Sequence, residues 1–235
     1  MIPLNLPPRE WRRKDLISVT IPSRGRCEQL KKSLYSLRSK AARPDLIEVL
    51  VAHDPDDQAT RLAAFEMNAD VIWEAPERYG YARSAYYWAA LIDQAHGEWV
   101  LPTWSDDGFM ETTAWDVTVR EQPAGSILYT DGNYPGLTCF PIIHMDVFEA
   151  LGRLCPLPAI DTWYEDVGRA AGRLVQPGIY VRQDRHDING ENFDLTAIEG
   201  GMAWRQANSG GMVYYTEPYN TWRAEDAATL VKERS

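Results

Sequence analysis

The first half of the chain alternates short apolar runs with segments of helical periodicity. Leu16–Ile21 is a β-branched and almost uninterrupted apolar run, as expected of a strand covered on both faces, and Leu46–Ala52 is a second such run. Between the two, leucines recur at helical spacing from Leu30 to Leu37. A strand, a helix and a strand in this order form a βαβ unit, which predicts a parallel sheet.

The alternation continues to about residue 110 and is less regular afterwards. The pattern predicts these further elements: helices at Ala59–Met67, Tyr81–Ala95, Thr112–Arg120, Met145–Leu151 and Tyr164–Gly172, and strands at Val71–Trp73, Trp99–Trp104, Ser126–Tyr129 and around Ile179. Gly97 is placed to stop the second of these helices. Arg182–Gly211 is rich in Asn, Asp and Gly and is predicted to be a long loop, and such loops are often functional. The whole predicts one α/β domain.

Composition narrows the class of protein. The 235 residues are 45% hydrophobic and carry a formal net charge of −10, so a full core can form and the chain as a whole repels a polyanion. The basic residues Arg9, Arg12, Arg13 and Lys14 are interpreted as a solvated segment before the first strand. Three widely spaced cysteines, without a C-x-x-C pair, predict reduced thiols. With no signal-like or membrane-spanning stretch, a cytoplasmic protein is expected.

Polar residues follow the predicted strands at the edge where ligands bind to open parallel sheets. The loop PSRGR carries Arg24 and Arg26, whose guanidinium groups suit phosphate or a base carbonyl. The next strand ends in HDPDD, where Asp54, Asp56 and Asp57 could accept hydrogen bonds from a base or a ribose. The alternative is that these aspartates cap the turn and the following helix.

The strand WVLPTW runs into a third polar loop, SDDG. Its adjacent carboxylates, Asp106 and Asp107, could hold a hard divalent cation at the strand end. A cation there could neutralise the charge that builds on a departing nucleoside diphosphate. The alternative is an ordinary turn with an Asx cap, because the string by itself is a weak signal.

These loops, taken in order, resemble a known family. The runs ISVTIPSRGR, IEVLVAHDPDD and YGYARSAYYWAALIDQAHGEWVLPTWSDDG resemble the nucleotide-binding half of family 2 glycosyltransferases of the GT-A fold. The resemblance implies a Rossmann-like, mostly parallel sheet, a nucleotide diphosphate sugar as donor, with a UDP-sugar favoured, and Mn²⁺ or Mg²⁺. The implied donor-binding residues are Pro22, Ser23, Arg24, Arg26, Asp54, Arg83 and Asp106, and the implied metal ligand is Asp107. Residues 1–110 would then bind the donor and residues 111–235 the acceptor.

Two residues depart from the family pattern. Ser84 stands where the family has Asn, and Ser105 occupies the first acidic position of its D-x-D motif. The second departure leaves Asp107 for the metal and Asp106 beside it, toward the ribose.

The second half of the chain has a fainter similarity. DTWYEDVGRAAG resembles the family's E-D motif, which implies Asp166 as the base that deprotonates the acceptor, with Glu165 beside it and Asp161 in reserve. The alternative is a charged first turn of a helix. His186 is similarly placed to a histidine that GT-A enzymes use as a further metal ligand, although a lone histidine is often a surface residue.

Aromatic residues are frequent, with nine tryptophans and twelve tyrosines. Such side chains cover the C–H faces of sugar rings well, although most tryptophans serve packing. The candidates for lining the acceptor side are Trp104, Tyr134, Trp163 and Trp204.

The sequence therefore predicts a metal-dependent glycosyltransferase, with inversion implied by the resemblance. Two rivals stay open: a noncatalytic nucleotide-sugar or glycan binding module, and a sugar nucleotidyltransferase, although PSRGR lacks the glycine-rich loop of the latter. The acceptor could be a glycan, a protein, a small molecule or a modified DNA base, which needs only a local pocket. The oligomeric state is left open.

Overall fold

The computed structural model describes residues 1–133, 140–184 and 215–233. The helices are α1 Cys27–Lys40, α2 Gln58–Glu66, α3 Ser84–Ile92, α4 Trp115–Arg120, α5 Met145–Leu151, α6 Ile160–Ala170 and α7 Tyr219–Lys232. The strands are β1 Ile2–Pro3, β2 Arg13–Pro22, β3 Ile47–His53, β4 Val71–Glu74, β5 Gly97–Leu101, β6 Gly108–Met110, β7 Ile127–Leu128, β8 Asp131–Gly132, β9 Ile142–His144, β10 Arg153–Leu154, β11 Leu174–Val175 and β12 Tyr180–Gln183.

Seven strands form the main sheet, in the order β11-β7-β9-β5-β2-β3-β4. Strands β2, β3, β4 and β5 are mutually parallel, and β9 is antiparallel to both of its neighbours, β5 and β7. The mostly parallel α/β sheet predicted from the apolar runs is confirmed. Two smaller sheets accompany it, one of β1 and β10 and one in the order β6-β12-β8.

The core lies on both faces of the main sheet. Alternate residues of β2, namely Ile17, Val19 and Ile21, are fully buried against α1, α2 and α4. Residues of the neighbouring strands that point the other way, such as Leu50 and Val100, pack with α3, α5, α6 and α7. Because both faces are covered, the strands contain the continuous apolar runs that the sequence showed.

Gly97 has a different role from the predicted one. Helix α3 is preceded by a 3-10 turn at Tyr81–Arg83 and already ends at Ile92, so Gly97 does not stop it but begins β5. A Cβ atom on Gly97 would lie 2.7 Å from the backbone nitrogen of Ser18 and 2.8 Å from the carbonyl oxygen of Leu16. Glycine is required here because β2 and β5 approach each other too closely for any side chain.

We therefore expect Gly97→Ala to lower the free energy of unfolding by about 3 kcal/mol or more, because the clashing atoms are backbone and cannot move without separating β2 from β5. Urea unfolding measures the effect. The matched control is Gly152→Ala, where a Cβ meets nothing within 4 Å and only the left-handed φ of +61° is unfavourable, at a cost of ~1 kcal/mol. Equal losses in the two variants would contradict this account.

Other expectations from the sequence need correction. Residues Arg182 and Gln183 belong to β12 rather than to the predicted long loop. The basic segment before β2 is not merely solvated, because Arg12 donates to Asp146 on α5 at 2.6 Å. β7 lies within the predicted strand Ser126–Tyr129, whereas the other strands of two or three residues and α7 were not predicted.

Cys27 and Cys155 are free thiols, as expected. Within the described part of the chain, no helix is both long and apolar enough to cross a membrane.

Candidate functional site

Three loops meet at one edge of the main sheet. They follow β2, β3 and β5, which are adjacent and parallel, so their carboxyl ends point to the same side. Ser23 donates from its Oγ to Asp106 Oδ2 at 2.7 Å, which joins the first loop to the third. Arg24 Nη1 lies 2.9 Å from Asp54 Oδ2, which joins the first loop to the second. The predicted convergence of these loops is present in the fold.

Asp106 is the buried carboxylate of the third loop. Its residue surface is 5% exposed, and Arg26 Nη1 lies 3.3 Å from its Oδ1, opposite the bond from Ser23. Burial raises the pKa of Asp106 to about 6; Arg26 opposes this shift and the neighbouring Asp107 adds to it. Both oxygens are therefore engaged by the β2 loop, and Asp106 fixes the third loop in place.

The backbone of the third loop is held from helix α1. The Ser33 hydroxyl donates to the carbonyl oxygen of Gly108 at 2.7 Å, with that of Ser105 also near at 3.1 Å, and it accepts a bond from Trp104 Nε1 at 2.8 Å. Ser33 is fully buried. The loop thus has a defined shape before any ligand arrives, which favours preorganised binding.

Asp107 is more exposed than Asp106 and is oriented through one oxygen. Ser105 Oγ and Gln183 Nε2 both donate to Asp107 Oδ1, the second at 3.3 Å. Asp107 Oδ2 accepts no hydrogen bond from any side chain or backbone group that the structure describes. One carboxylate oxygen is therefore left for a ligand.

Gln183 was missed by sequence reasoning. It lies on β12, whose register places it opposite Gly108, and the backbone N–H of Asp184 donates to the carbonyl oxygen of Asp107 at 2.9 Å. The amide oxygen of Gln183 is buried without a hydrogen-bond partner. An orphaned buried acceptor is unfavourable unless an ion or water satisfies it. The only signal in the sequence was its place in the predicted long loop Arg182–Gly211, a kind of loop that is often functional.

Asp54 is the buried carboxylate of the second loop, with 3% of its residue surface exposed. Tyr87 of α3 donates its hydroxyl to Asp54 Oδ1, while Arg24 binds Oδ2 and Arg78 Nε lies 3.9 Å from that oxygen. Tyr87 was also missed, because within an apolar helix it looks like core. Asp54 is consequently not a simple turn cap.

Asp56 and Asp57, which follow Asp54 in the same loop, bind other residues of the protein. Asp57 caps α2 by accepting the backbone N–H of Thr60 at 3.1 Å, as the alternative interpretation predicted. Asp56 binds Arg24 through both carboxylate oxygens, at 2.5 and 2.8 Å. The Arg24 guanidinium holds the pKa of Asp56 at about 2.

Arg83 lies in the 3-10 turn before α3 and is half exposed. It forms an ion pair with Glu77 at 2.9 Å, and its guanidinium lies over the ring of Tyr79, 5.1 Å from the centroid. Among the described residues, its contacts are with Glu77, Arg78 and Tyr79, which do not belong to the three loops. Pro22, by contrast, is the last residue of β2 and directly precedes Ser23.

The three acidic candidates of the second half all lie on α6. Glu165 pairs with Arg169 on the same helix at 2.7 Å, and Asp166 lies 3.8 Å from Arg223 of α7. Asp161 stands in the first turn and accepts the N–H of Thr162 at 2.8 Å. Burial raises the pKa of Asp161 to about 6, against the effect of that bond.

Two aromatic candidates do not line a binding surface. Trp104 is fully buried against Phe140, and Trp163 is buried with its Nε1 donating to Asp226 at 3.0 Å. Their predicted role at the acceptor side is wrong, because both are core residues. His186, Tyr134 and Trp204 lie outside the described residues.

Across residues 1–133, 140–184 and 215–233, no group of three or more His, Cys, Asp or Glu side chains converges to hold a metal ion. The oxygens at Asp107 nevertheless fit a hard divalent cation. Oδ2 of Asp107 and the amide oxygen of the neighbouring Gln183 both have no hydrogen-bond partner among the described residues. Carboxylate and amide oxygens are the ligands that Mg²⁺ and Mn²⁺ prefer.

Solved structures with a similar architecture include glycosyltransferases. The mannosyltransferase PcManGT from Pyrobaculum calidifontis, in complex with GDP-Man and Mn²⁺, is 14% identical, with 97% of this chain and 88% of that chain covered and a TM-score of 0.59. S. aureus TarS in complex with UDP is 14% identical, with 93% and 82% covered and a TM-score of 0.57. Glucosyl-3-phosphoglycerate synthase from Mycobacterium tuberculosis, in complex with phosphoglyceric acid, is 11% identical, with 81% and 79% covered and a TM-score of 0.53.

No family model and no curated protein matches the chain by sequence. At this level of identity the structural similarity shows the fold, which is the GT-A fold.

Proposed function

We propose that this protein is a glycosyltransferase that takes a sugar from a nucleotide diphosphate donor and transfers it to a hydroxyl acceptor. The observation that carries the proposal is the junction of three strand-end loops at one sheet edge, with buried Asp54 at one side and the Asp106–Asp107 pair at the other. The GT-A neighbours in complex with GDP-Man and with UDP support it. A UDP-sugar is the donor we favour.

In this proposal residues 1–110 bind the donor. Asp54 accepts a hydrogen bond from the base, and the loop of Pro22, Ser23 and Arg26 faces the diphosphate. Ser23 and Arg26 both bind Asp106, so their positions are set by the third loop before the donor arrives. Arg24 is committed to Asp54 and Asp56, which supports a role near the base rather than on a phosphate.

A divalent cation, Mn²⁺ or Mg²⁺, would be held at Asp107, with Gln183 beside it. Bound there, it would neutralise charge on the diphosphate leaving group. Ser105 cannot supply the carboxylate that the D-x-D motif has at this position, and the amide oxygen of Gln183 offers a neutral oxygen ligand in its neighbourhood. His186 remains a proposed further ligand.

The general base is best assigned to Asp161. Helix α6 leads into β11, which runs parallel to the central strands, so its first turn lies toward their carboxyl ends. Asp166 lies five residues further along, ~7 Å away at 1.5 Å per residue. Glu165 and Asp166 are also paired with arginines, whereas no described Lys or Arg lies within ion-pair distance of Asp161.

The proposed reaction is a direct displacement. The acceptor oxygen forms a bond to the anomeric carbon as the bond from that carbon to the diphosphate oxygen breaks, and the hydroxyl proton passes to Asp161. Attack on the face opposite the leaving group inverts the configuration. A base with a pKa of about 6 is mostly ionised at neutral pH and can accept this proton.

The direct test is a thermal-shift screen of nucleoside diphosphates and their sugars, with and without Mn²⁺, followed by an assay for release of the nucleoside diphosphate. A ligand bound at 100 times its Kd stabilises the fold by about 2.7 kcal/mol. Binding of a nucleotide sugar without turnover on any acceptor or water would favour the noncatalytic module. No binding of any nucleotide would overturn the proposal.

Gln183 gives a sharper test of the cation site. We expect Gln183→Ala to weaken Mn²⁺ binding about tenfold in the presence of UDP, because it removes a neutral oxygen and the amide group that orients Asp107. Isothermal titration measures it. Gln176→Ala is the matched control, because that glutamine binds Asp131 in an exposed position. An Mn²⁺ affinity that is the same in Gln183→Ala and in the control would remove Gln183 from the cation site.

A further inference from the structure

Asp54 is held at both of its carboxylate oxygens by residues from different elements. Tyr87 from α3 donates to Oδ1, and Arg24 from the β2 loop binds Oδ2 at 2.9 Å. Arg24 is itself fixed by its two bonds to Asp56. The carboxylate can therefore neither rotate nor withdraw without breaking contacts on two sides.

The Tyr87 hydroxyl has only one arrangement that satisfies its neighbours. It accepts the backbone N–H of Tyr79 at 2.9 Å and that of Gly80 at 3.4 Å. With both acceptor positions used, its single proton is directed to Asp54. Burial raises the pKa of Tyr87 to about 12, so the hydroxyl keeps that proton at neutral pH.

The ring of Tyr87 is also fixed. It is 7% exposed and packs edge to face against Trp73, at 6.5 Å between centroids, and against Tyr79, at 5.1 Å. Such pairs define the orientation of the ring as well as its position. The hydroxyl is consequently presented to Asp54 by a rigid support and not by a mobile side chain.

We propose that Tyr87, with Arg24, is a positioning residue that sets the base specificity of this site by orienting Asp54. The inference rests on the proposed donor function. A carboxylate only accepts hydrogen bonds, so the base must offer a ring N–H at this place. Uracil N3 and guanine N1 carry such a hydrogen, whereas cytosine N3 and adenine N1 present a lone pair that the carboxylate repels. A mobile Asp54 would lose this selection.

The experiment compares Tyr87→Phe with Tyr86→Phe, a control on the same helix whose side chain is 44% exposed. Titrations of UDP, GDP, CDP and ADP, with Mn²⁺ present, give four dissociation constants for each protein. We expect Tyr87→Phe to raise the dissociation constant of the preferred nucleotide about tenfold, as the loss of a hydrogen bond to a charged group does. The dissociation constants of the weakly bound nucleotides should not change. With saturating donor, kcat should change less than twofold.

Circular dichroism and thermal melting test whether Tyr87→Phe is folded. If Tyr87→Phe does not fold, Arg24→Lys is the variant to test. Lysine keeps the charge but cannot make the bidentate contact to Asp56, so this variant should also reduce the difference in affinity between the preferred and the weakly bound nucleotides. Unchanged discrimination in the folded variant overturns the inference, as does an equal loss for all four nucleotides. Failure of the wild type to bind any of the four overturns the proposed function itself.

Discussion

Asp107→Asn is expected to lower the rate of sugar transfer ~10²–10³-fold and to remove the response of the rate to Mn²⁺. The amide retains an oxygen that can accept from Ser105 and Gln183, so the loop should keep its shape. What is lost is the negative charge that would hold the cation. Initial rates measured across a Mn²⁺ titration give both effects.

Asp45→Asn is the control for this variant, because Asp45 is an exposed carboxylate paired with Arg43 at 2.7 Å, away from the three loops. Both variants should melt within a few degrees of the wild type. An Asp107→Asn protein that kept the wild-type rate and Mn²⁺ response would remove Asp107 from the cation site.

Asp161→Asn is expected to lower kcat ~10²–10⁴-fold while leaving the affinity for the nucleoside diphosphate unchanged. An asparagine fills the same space and can accept the N–H of Thr162, but it cannot take the proton of the acceptor. Single-turnover rates and a binding titration separate the two quantities. Asp166→Asn and Glu165→Gln are the matched comparisons on the same helix.

The three variants distinguish two assignments of the base. A large loss of kcat in Asp166→Asn with little loss in Asp161→Asn would restore the assignment that the E-D resemblance implies. Losses confined to Asp161→Asn would locate the base in the first turn of α6.

The effect of Asp161→Asn on stability should depend on pH. The folded pKa of Asp161 is about 6, raised by burial above its unfolded value near 3.9, so between these values the folded state binds more protons than the unfolded state. Ionised Asp161 therefore destabilises the fold, and its contribution improves as the pH falls from 7 toward 4.

Asp161→Asn should accordingly melt above the wild type at pH 7.5 and lose this advantage near pH 4. Because Asp161 keeps some exposure to solvent, we expect the variant to exceed the wild type at pH 7.5 by about 1 kcal/mol in the free energy of unfolding, or ~2–4 °C in Tm. In the wild type, kcat should rise with pH around a midpoint near 6, because the base must be ionised.

Sequence patterns were most reliable where an element is long and buried on both faces. β2 and β3 were predicted because each of their two faces meets a helix layer, so the apolar runs are unbroken. β11 has only two residues, too few for any period to appear, and it was not predicted. β9 pairs antiparallel within a parallel sheet, and nothing local in Ile142–His144 specifies its neighbours.

The candidate site, like the fold, was predicted only in part from the sequence. By itself the sequence determined which chemical groups stand at the strand ends, since an apolar run that stops at Asp54 or at Asp106 has to place that residue on the carboxyl edge of the sheet. Only the tertiary structure decided the partners: Gln183 meets Asp107 across 76 positions, and Tyr87 meets Asp54 across 33. The physical reason is that strand and helix propensities act over a few residues, whereas these contacts depend on how whole elements pack, and packing also buried Trp104 and Trp163 in the core.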